Sequence, residues 1–401
     1  MAHAAGRGRG RGAAAVAVAV AVAVGFAVAG DGGGRKAGGR AAPLPSAWAR
    51  QAGQAVAAGP GYRFEGTLPA DGRPVRAALR VTKEGSASGT LTAAGGLRAD
   101  VVAVDGRTYI KAGPAFWRAY GGESARPEAY ADRWAKAPAS MPGLDVPDVL
   151  GSEAIAKLLV KAASRPPVEN VAGVRAYRVK TPDADYLVTA SAPYRLLAVQ
   201  SAGPGDPTFT AAPLAAPGPL LAEIRARVAK LGGAADPALR FAPGKLSFVN
   251  CEQNLNGCTV SVPATLTSPD GAVPAGARAA LRATVTSKGR RLGACTGSGP
   301  VPSNRELVLR CTVKGHAWRS WMRQALDAPG AHPYGAQARV LGEAVDPADV
   351  PALLARIDRE RGASAAGAGP GAGPGGGPGA SPQSGRGGGA GATPPASRPP
   401  G

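Results

Sequence analysis

The 401-residue sequence predicts an α+β fold: an antiparallel sheet covered by helices, then a small disulfide-stapled antiparallel β-sandwich with a C-terminal helix. Three observations carry this prediction. Short segments with period-two alternation, separated by Gly and Asp-Gly turns, recur between residues 62 and 111 and again between 175 and 201. Segments with helical spacing precede and interrupt them. All four cysteines lie beyond residue 250, within a further set of alternating segments.

The N-terminus reads as a targeting segment. Arg7, Arg9 and Arg11 form a basic start, Ala13–Ala29 carries no charged or hydrogen-bonding side chain, and Ala27-Val28-Ala29 is a small-x-small cleavage site. An uncleaved anchor is the rival, but the run is short for a bilayer span and alanine is only weakly apolar. Residues 1–29 are therefore expected to be a signal peptide or membrane anchor, and 30–43 a flexible linker. Asp31 stands where a lipobox would carry its cysteine, so there is no thiol to lipidate.

The first domain is expected over 44–240. Leu44–Ala58 has helical spacing and stops at Gly59-Pro60-Gly61. Strands are expected at Tyr62–Leu68, Val75–Val81, Ser86–Ala93, Leu97–Val104 and Arg107–Lys111, an antiparallel meander. Pro114–Tyr120 reads as a short helix, with Trp134 leading into a Pro-rich loop, and Val149–Ala163 as the best amphipathic helix. Strands return at Arg175–Thr181, Asp185–Ala190 and Tyr194–Ser201, and Pro219–Leu231 is a connecting helix.

The second domain is expected over 241–361. Lys245–Asn250, Gly257–Thr267, Ala277–Ser287, Glu306–Val313 and Ala336–Leu341 read as strands, Ala317–Ala328 and Pro347–Arg361 as helices. Cys251, Cys258, Cys295 and Cys311 are even in number, which in an exported chain means disulfides; of the three pairings, Cys251–Cys258 with Cys295–Cys311 closes the shortest loops. Their gaps do not match a zinc knuckle. Residues 362–401, almost wholly Gly, Ala, Pro and Ser, lack the apolar bulk to fold and are expected to be disordered.

Composition limits function. The net charge of +20 is spread among acidic residues with no block of five or more consecutive cations; Lys288, Arg290 and Arg291 are the nearest to a cluster. That speaks against nucleic acid and fits weak attraction to anionic envelope polymers or lipid headgroups. The Ala, Gly, Arg and Pro bias partly reflects GC-rich codon usage. Of three histidines, His3 is in the leader and His316 and His332 lie beside turns, so no Ser/His/Asp arrangement can arise in the first domain. No hydrolase, phosphate-loop or metalloprotease motif is present, and Asp183/Asp185 and Asp145/Asp148 sit in turns. No cofactor, metal site or catalysis is expected.

Residues 44–232 resemble the LolA-like lipoprotein-carrier superfamily, in particular the actinobacterial lipid-binding lipoproteins. The resemblance rests on the leading helix Trp48–Ala58 and Tyr62-Arg63-Phe64-Glu65-Gly66, on Val104-Asp105-Gly106-Arg107-Thr108-Tyr109-Ile110-Lys111 with Phe116-Trp117 and Trp134, and on the return strands around Tyr177, Tyr186 and Tyr194. It implies a curved half-barrel whose concave face is closed by helices around an apolar cavity, lined here by Trp48, Tyr109, Phe116, Trp117, Ile155 and Leu159. A lipid or apolar small molecule would be the ligand, the location extracytoplasmic, and membrane attachment would need an uncleaved leader. The alternative is an interaction or scaffold protein, bound to envelope proteins, in which those aromatics are core.

Overall fold

The alternation of Val75, Ala77, Leu79 and Val81 becomes a strand whose four apolar side chains are buried on one face, while Arg76 and Ala78 face solvent. The same rule builds the rest of the sheet. The computed structural model describes residues 46–367 except 71–72, 122–126, 139–140, 142–144 and 202–206; the expected leader, the linker and residues 368–401 lie outside it.

The chain runs α1 (Ala47–Ala58), β1 (Gly61–Ala70), β2 (Arg73–Thr82), β3 (Ala87–Thr92), β4 (Arg98–Val104), β5 (Arg107–Ala112), α2 (Pro114–Tyr120), α3 (Pro127–Tyr130) and β6 (Arg133–Lys136). It continues through α4 (Val146–Leu150), α5 (Ser152–Leu159), β7 (Val168–Val171), β8 (Val174–Lys180), β9 (Ala184–Thr189), β10 (Leu196–Ser201), β11 (Thr208–Pro213) and α6 (Gly218–Val228). Then follow β12 (Arg240–Pro243), β13 (Ser247–Val249), β14 (Cys258–Ser268), β15 (Arg278–Ser287), β16 (Arg290–Pro300), β17 (Glu306–Val313), α7 (His316–Asp327), β18 (Gly335–Glu343) and α8 (Val350–Gly367).

Strands β1–β11 form one open antiparallel sheet of 11 strands, ordered β6-β5-β4-β3-β2-β1-β11-β10-β9-β8-β7. Two meanders are joined where β1 pairs with β11, Tyr62 opposite Pro213. One face, with Phe64, Leu68, Leu79, Leu91, Val101 and Ile110, packs against α1, α2, α4 and α5. The opposite face carries Val102, Val104, Tyr109 and Trp134 under α6 and α8.

The single helix expected over Val149–Ala163 is instead α4 and α5, broken at Gly151, whose backbone is extended (φ −72°, ψ 132°). A Cβ at Gly151 would lie 2.4 Å from the Pro147 carbonyl oxygen, so the sharp join requires glycine. Strands β6, β7, β11, β12 and β16 were not expected from sequence.

The second β block holds β12-β14-β13 with β17 on β14, and a separate β16-β15-β18 sheet. Its core contains Val260, Leu281, Val285, Trp318 and Trp321. Strand β16 escapes a periodicity search because it is glycine-rich, yet a Cβ at Gly297 would sit 2.0 Å from the Arg310 carbonyl oxygen. The missing side chains let β16 press against β17 without pairing to it, and the Cys295–Cys311 disulfide crosses that seam. Cys251–Cys258 closes the turn between β13 and β14.

The two β blocks are joined by backbone. Between β6 and β18 lies the connecting segment 233–236: Lys136 N–H donates to Ala235 O (2.7 Å), and Ala235 N–H to Trp134 O (3.0 Å). On its other side Asp236 N–H donates to Gly342 O (2.9 Å) and Ala344 N–H to Ala234 O (2.7 Å). Lys136 Nζ adds an ion pair to Asp236 at 3.3 Å.

The helix expected over Pro347–Arg361 begins its α-helical part at Val350, runs on to Gly367 and leaves the second block to lie beside α6 on the large sheet. Ile357 is fully buried there, Arg225 pairs with Asp358 at 2.9 Å, and Arg356 with Asp105. Glu360, 3% exposed, accepts hydrogen bonds from the Thr82 and Ser86 hydroxyls. Burial raises its carboxyl above the ordinary 4.5, outweighing the lowering by those two hydroxyls.

Two outcomes are expected. The folded state holds the Glu360 proton more tightly than the unfolded chain, an advantage complete below the unfolded value and lost as pH rises through the folded one. Glu360→Gln should therefore gain stability relative to the native chain as pH is raised from about 4 to about 8, read as urea midpoints at each pH; parallel curves would count against a buried carboxyl. Removing the Cys295–Cys311 bridge, which spans 16 positions, should cost about 3 kcal/mol in unfolding free energy through the freed unfolded chain.

Candidate functional site

The helix-covered face of the large sheet is built from small-residue contacts. Ala49, Ala52, Gly53 and Val56 are the buried positions of α1. A Cβ at Gly53 would fall 2.8 Å from Val160 and 3.1 Å from the Ala156 carbonyl oxygen, so glycine lets α1 cross α5 closely. That crossing drives Ile155 and Leu159, both fully buried, down onto the sheet. Pro114 starts α2 at a position where its missing N–H costs nothing, and the helix buries Phe116, Trp117 and Tyr120. Tyr186 rises from β9, its hydroxyl donating to Val149 O at 3.0 Å, and burial pushes its ionisation well up.

Of the six residues proposed from the family resemblance, Phe116, Trp117, Ile155 and Leu159 meet in this one core, each no more than 2% exposed. Trp48 is half-buried at its margin, its ring 4.6 Å from that of Tyr177 and its Nε1 donating to Ser164 O at 3.1 Å. Tyr109 is elsewhere: it lies on the opposite face, with Trp134 and the α6 leucines, and burial raises its phenol. Trp117 Nε1 is buried without an acceptor among the described residues.

Clefts open at the surface. One of about 420 Å³ is lined by Tyr130, Leu239, Arg240, Phe241, Thr267, Ser268, Asp270, Val340 and Leu341. A neighbour of about 440 Å³ shares Val340 and Leu341 and adds Pro127–Ala129, Pro243, Ala338 and Arg339. Together they follow the gap between β12 and β18. Strand β12 pairs only with β14, and β18 only with β15, so each presents an edge to this gap. Arg339 Nη1 reaches from β18 to α3, donating to Glu128 O at 3.2 Å. Sequence reasoning singled out none of these residues, because their importance comes from two strand edges far apart in the chain facing each other.

Among the described residues no group of three His, Cys, Asp or Glu side chains could hold a metal ion, no cysteine is free, and no helix is long and apolar enough to cross a membrane. Glu343, the most buried acid of the second block at its edge, is satisfied by Arg278 (3.1 Å) and Ser298 (2.5 Å).

No protein-family model matches the chain. No curated protein matches either. Among solved structures, MucB in complex with MucA(peri) aligns at 14% identity over 68% of this chain and 94% of its own, with a TM-score of 0.21. MucB alone aligns at 14% identity over 68% and 95%, with a TM-score of 0.23. Superposition that poor adds no support to a functional assignment.

If Trp117 is core, Trp117→Ala should lose about 3–5 kcal/mol of stability in urea titration. Trp117→Phe should lose much less, since it also removes the unpartnered N–H. Trp48→Ala, at the margin, should fall between them. A ligand-contact role without packing would leave all three stabilities unchanged.

Proposed function

We propose that this chain is a non-catalytic, extracytoplasmic binding protein whose partner is another protein of the cell envelope, held along the gap between β12 and β18. The observation that carries this reading is the contrast between the two faces of interest. The helix-covered side of the large sheet is filled by the protein's own side chains, whereas surface clefts open beside β12 and β18, with Phe241, Val340 and Leu341 in their walls. An extended segment can lie along these clefts, adding main-chain hydrogen bonds to one strand edge while its alternate side chains meet the walls. Arg240 and Arg339 at the rim favour acidic residues in that segment. The two disulfides support an oxidising compartment.

The carrier reading implied by the family resemblance needs room under α2 and α5, which Phe116, Trp117, Ile155 and Leu159 would have to vacate. It is therefore the second choice.

A photo-crosslinking residue at position 339 is expected to give one dominant adduct with an envelope protein in the native host, mapped by mass spectrometry to a single segment. Arg240→Glu with Arg339→Glu should weaken binding of that segment, made as a peptide, by at least tenfold, on the scale of about 1.4 kcal/mol. Native mass spectrometry of the secreted protein carrying one lipid per chain, with no adduct at 339, would overturn the proposal in favour of a carrier.

A further inference from the structure

A cleft of about 270 Å³ opens where the last turn after α6 passes between the two β blocks, and its chemistry differs from every other opening described. It is lined by Lys111, Arg133, Lys230 and Arg282, with Asp132 the one carboxylate. The cations come from four separate places in the chain. Lys111 is on β5, Arg133 on β6, Lys230 follows α6, and Arg282 reaches over from β15. None of the four forms an ion pair among the described residues, although nearby cations do: Lys136 is matched by Asp236, and Arg227 by Glu223 and Asp100.

The geometry holds these charges in place. Lys111 stands directly across from Trp134 in the β5–β6 ladder, so both side chains leave the sheet on the same face. Trp134, only 7% exposed, gives the lysine an apolar wall. Arg282 Nη2 donates to Gly233 O at 2.8 Å, which fixes the guanidinium and leaves its remaining N–H groups without a partner among the described residues. The Gly232-Gly233 turn beneath it is held by Gly233 N–H donating to Val345 O at 2.9 Å. Lys111, Lys230 and Arg282 bring three like charges to one small opening, where they repel one another and one exposed carboxylate does not neutralise them; Arg133, next to Trp134 in β6, leaves the sheet on the other face. A bound oxyanion would reduce that repulsion.

We propose that this cleft is a binding site for a phosphate group, as a monoester or diester. A phosphate brings one negative charge as a diester and up to two as a monoester toward the unmatched cations, accepts from guanidinium and ammonium donors at once, and is small enough for the opening. A lone carboxylate would satisfy fewer of these donors. Phosphates of this kind occur both as membrane lipid headgroups and on soluble or polymeric esters, and the cleft reads the group they share. The site is built from residues separate from those of the β12–β18 gap, so the two proposals stand or fall independently.

The experiment is calorimetric titration of the intact chain with inorganic phosphate at low ionic strength, beside sedimentation with vesicles of phosphatidylcholine, with and without phosphatidylglycerol. Saturable one-to-one phosphate binding is expected, weakened at least tenfold by Lys111→Gln with Lys230→Gln and also by Lys230→Glu alone. Lys314→Gln with Arg319→Gln removes the same charge from the second β block and should leave the affinity within twofold. Thermal melts confirm that each variant is folded. Loss on the phosphatidylglycerol vesicles as well as in solution would identify a headgroup as a source, whereas loss in solution alone would identify soluble esters; either result supports the site. No saturable phosphate binding, or equal weakening by the two double variants, would overturn it, since the second result means attraction to net charge only.

Discussion

The molecule depends on a strip of backbone three residues wide. Ala234, Ala235 and Asp236 form a single rung between β6, the last strand of the large sheet, and β18, an outer strand of the second block. Each of these hydrogen bonds contributes only about 0.5–1.5 kcal/mol net. Their importance lies in where they fall: both neighbours are sheet edges, and an edge left bare is a template for unwanted pairing. The connecting segment bridges Ala135 at one edge and Glu343 at the end of the other, and so joins the two β blocks. The Lys111–Arg282 cleft and the β12–β18 gap take their shapes from that join, because each draws residues from both sides of it.

The outer face of the large sheet illustrates how charge is handled where apolar cover is thin. Helix α6 sets Leu220, Leu221, Ile224 and Val228 against Val102 and Val104 and places Glu223 over Ser88 and Arg80. Those partners hold the Glu223 carboxyl below its ordinary range despite its partial burial. Glu360 on α8 has hydroxyls for partners where Glu223 has guanidinium groups, and its shift runs the other way. Two glutamates on neighbouring helices thus differ through their partners, not through depth alone.

Much of the large sheet was legible because its physics is local. Alternation located β2, β4 and β5, glycine and Asp-Gly marked their turns, and proline placed the start of α2. Parity carried further information: Tyr109 and Ile110 are neighbours, so in a strand they must face opposite ways, and it is Ile110 that joins the helix-covered core. The motif drew attention to the tyrosine, whereas the period of two would have chosen the isoleucine. Other elements could not be read. Strand β16 has glycine where a periodicity search needs side chains, and its reason for being a strand is the close approach of β17. Segment 234–236 pairs through one residue on each side and has no pattern at all. Nor does the sequence of α8 say which sheet it will cover; Glu360, Ile357 and Asp358 acquire meaning only from Thr82, Ser86 and Arg225, more than a hundred positions earlier.

That last connection bears on the order of events during synthesis. A chain delivered N-terminus first completes all eleven strands of its large sheet well before Ile357 and Glu360 emerge. Until they do, one flank of α6 and the hydroxyls of Thr82 and Ser86 stay open to water. The earliest-made sheet is thus finished by the latest-made helix, and native closure waits on the longest loop the polypeptide has to search.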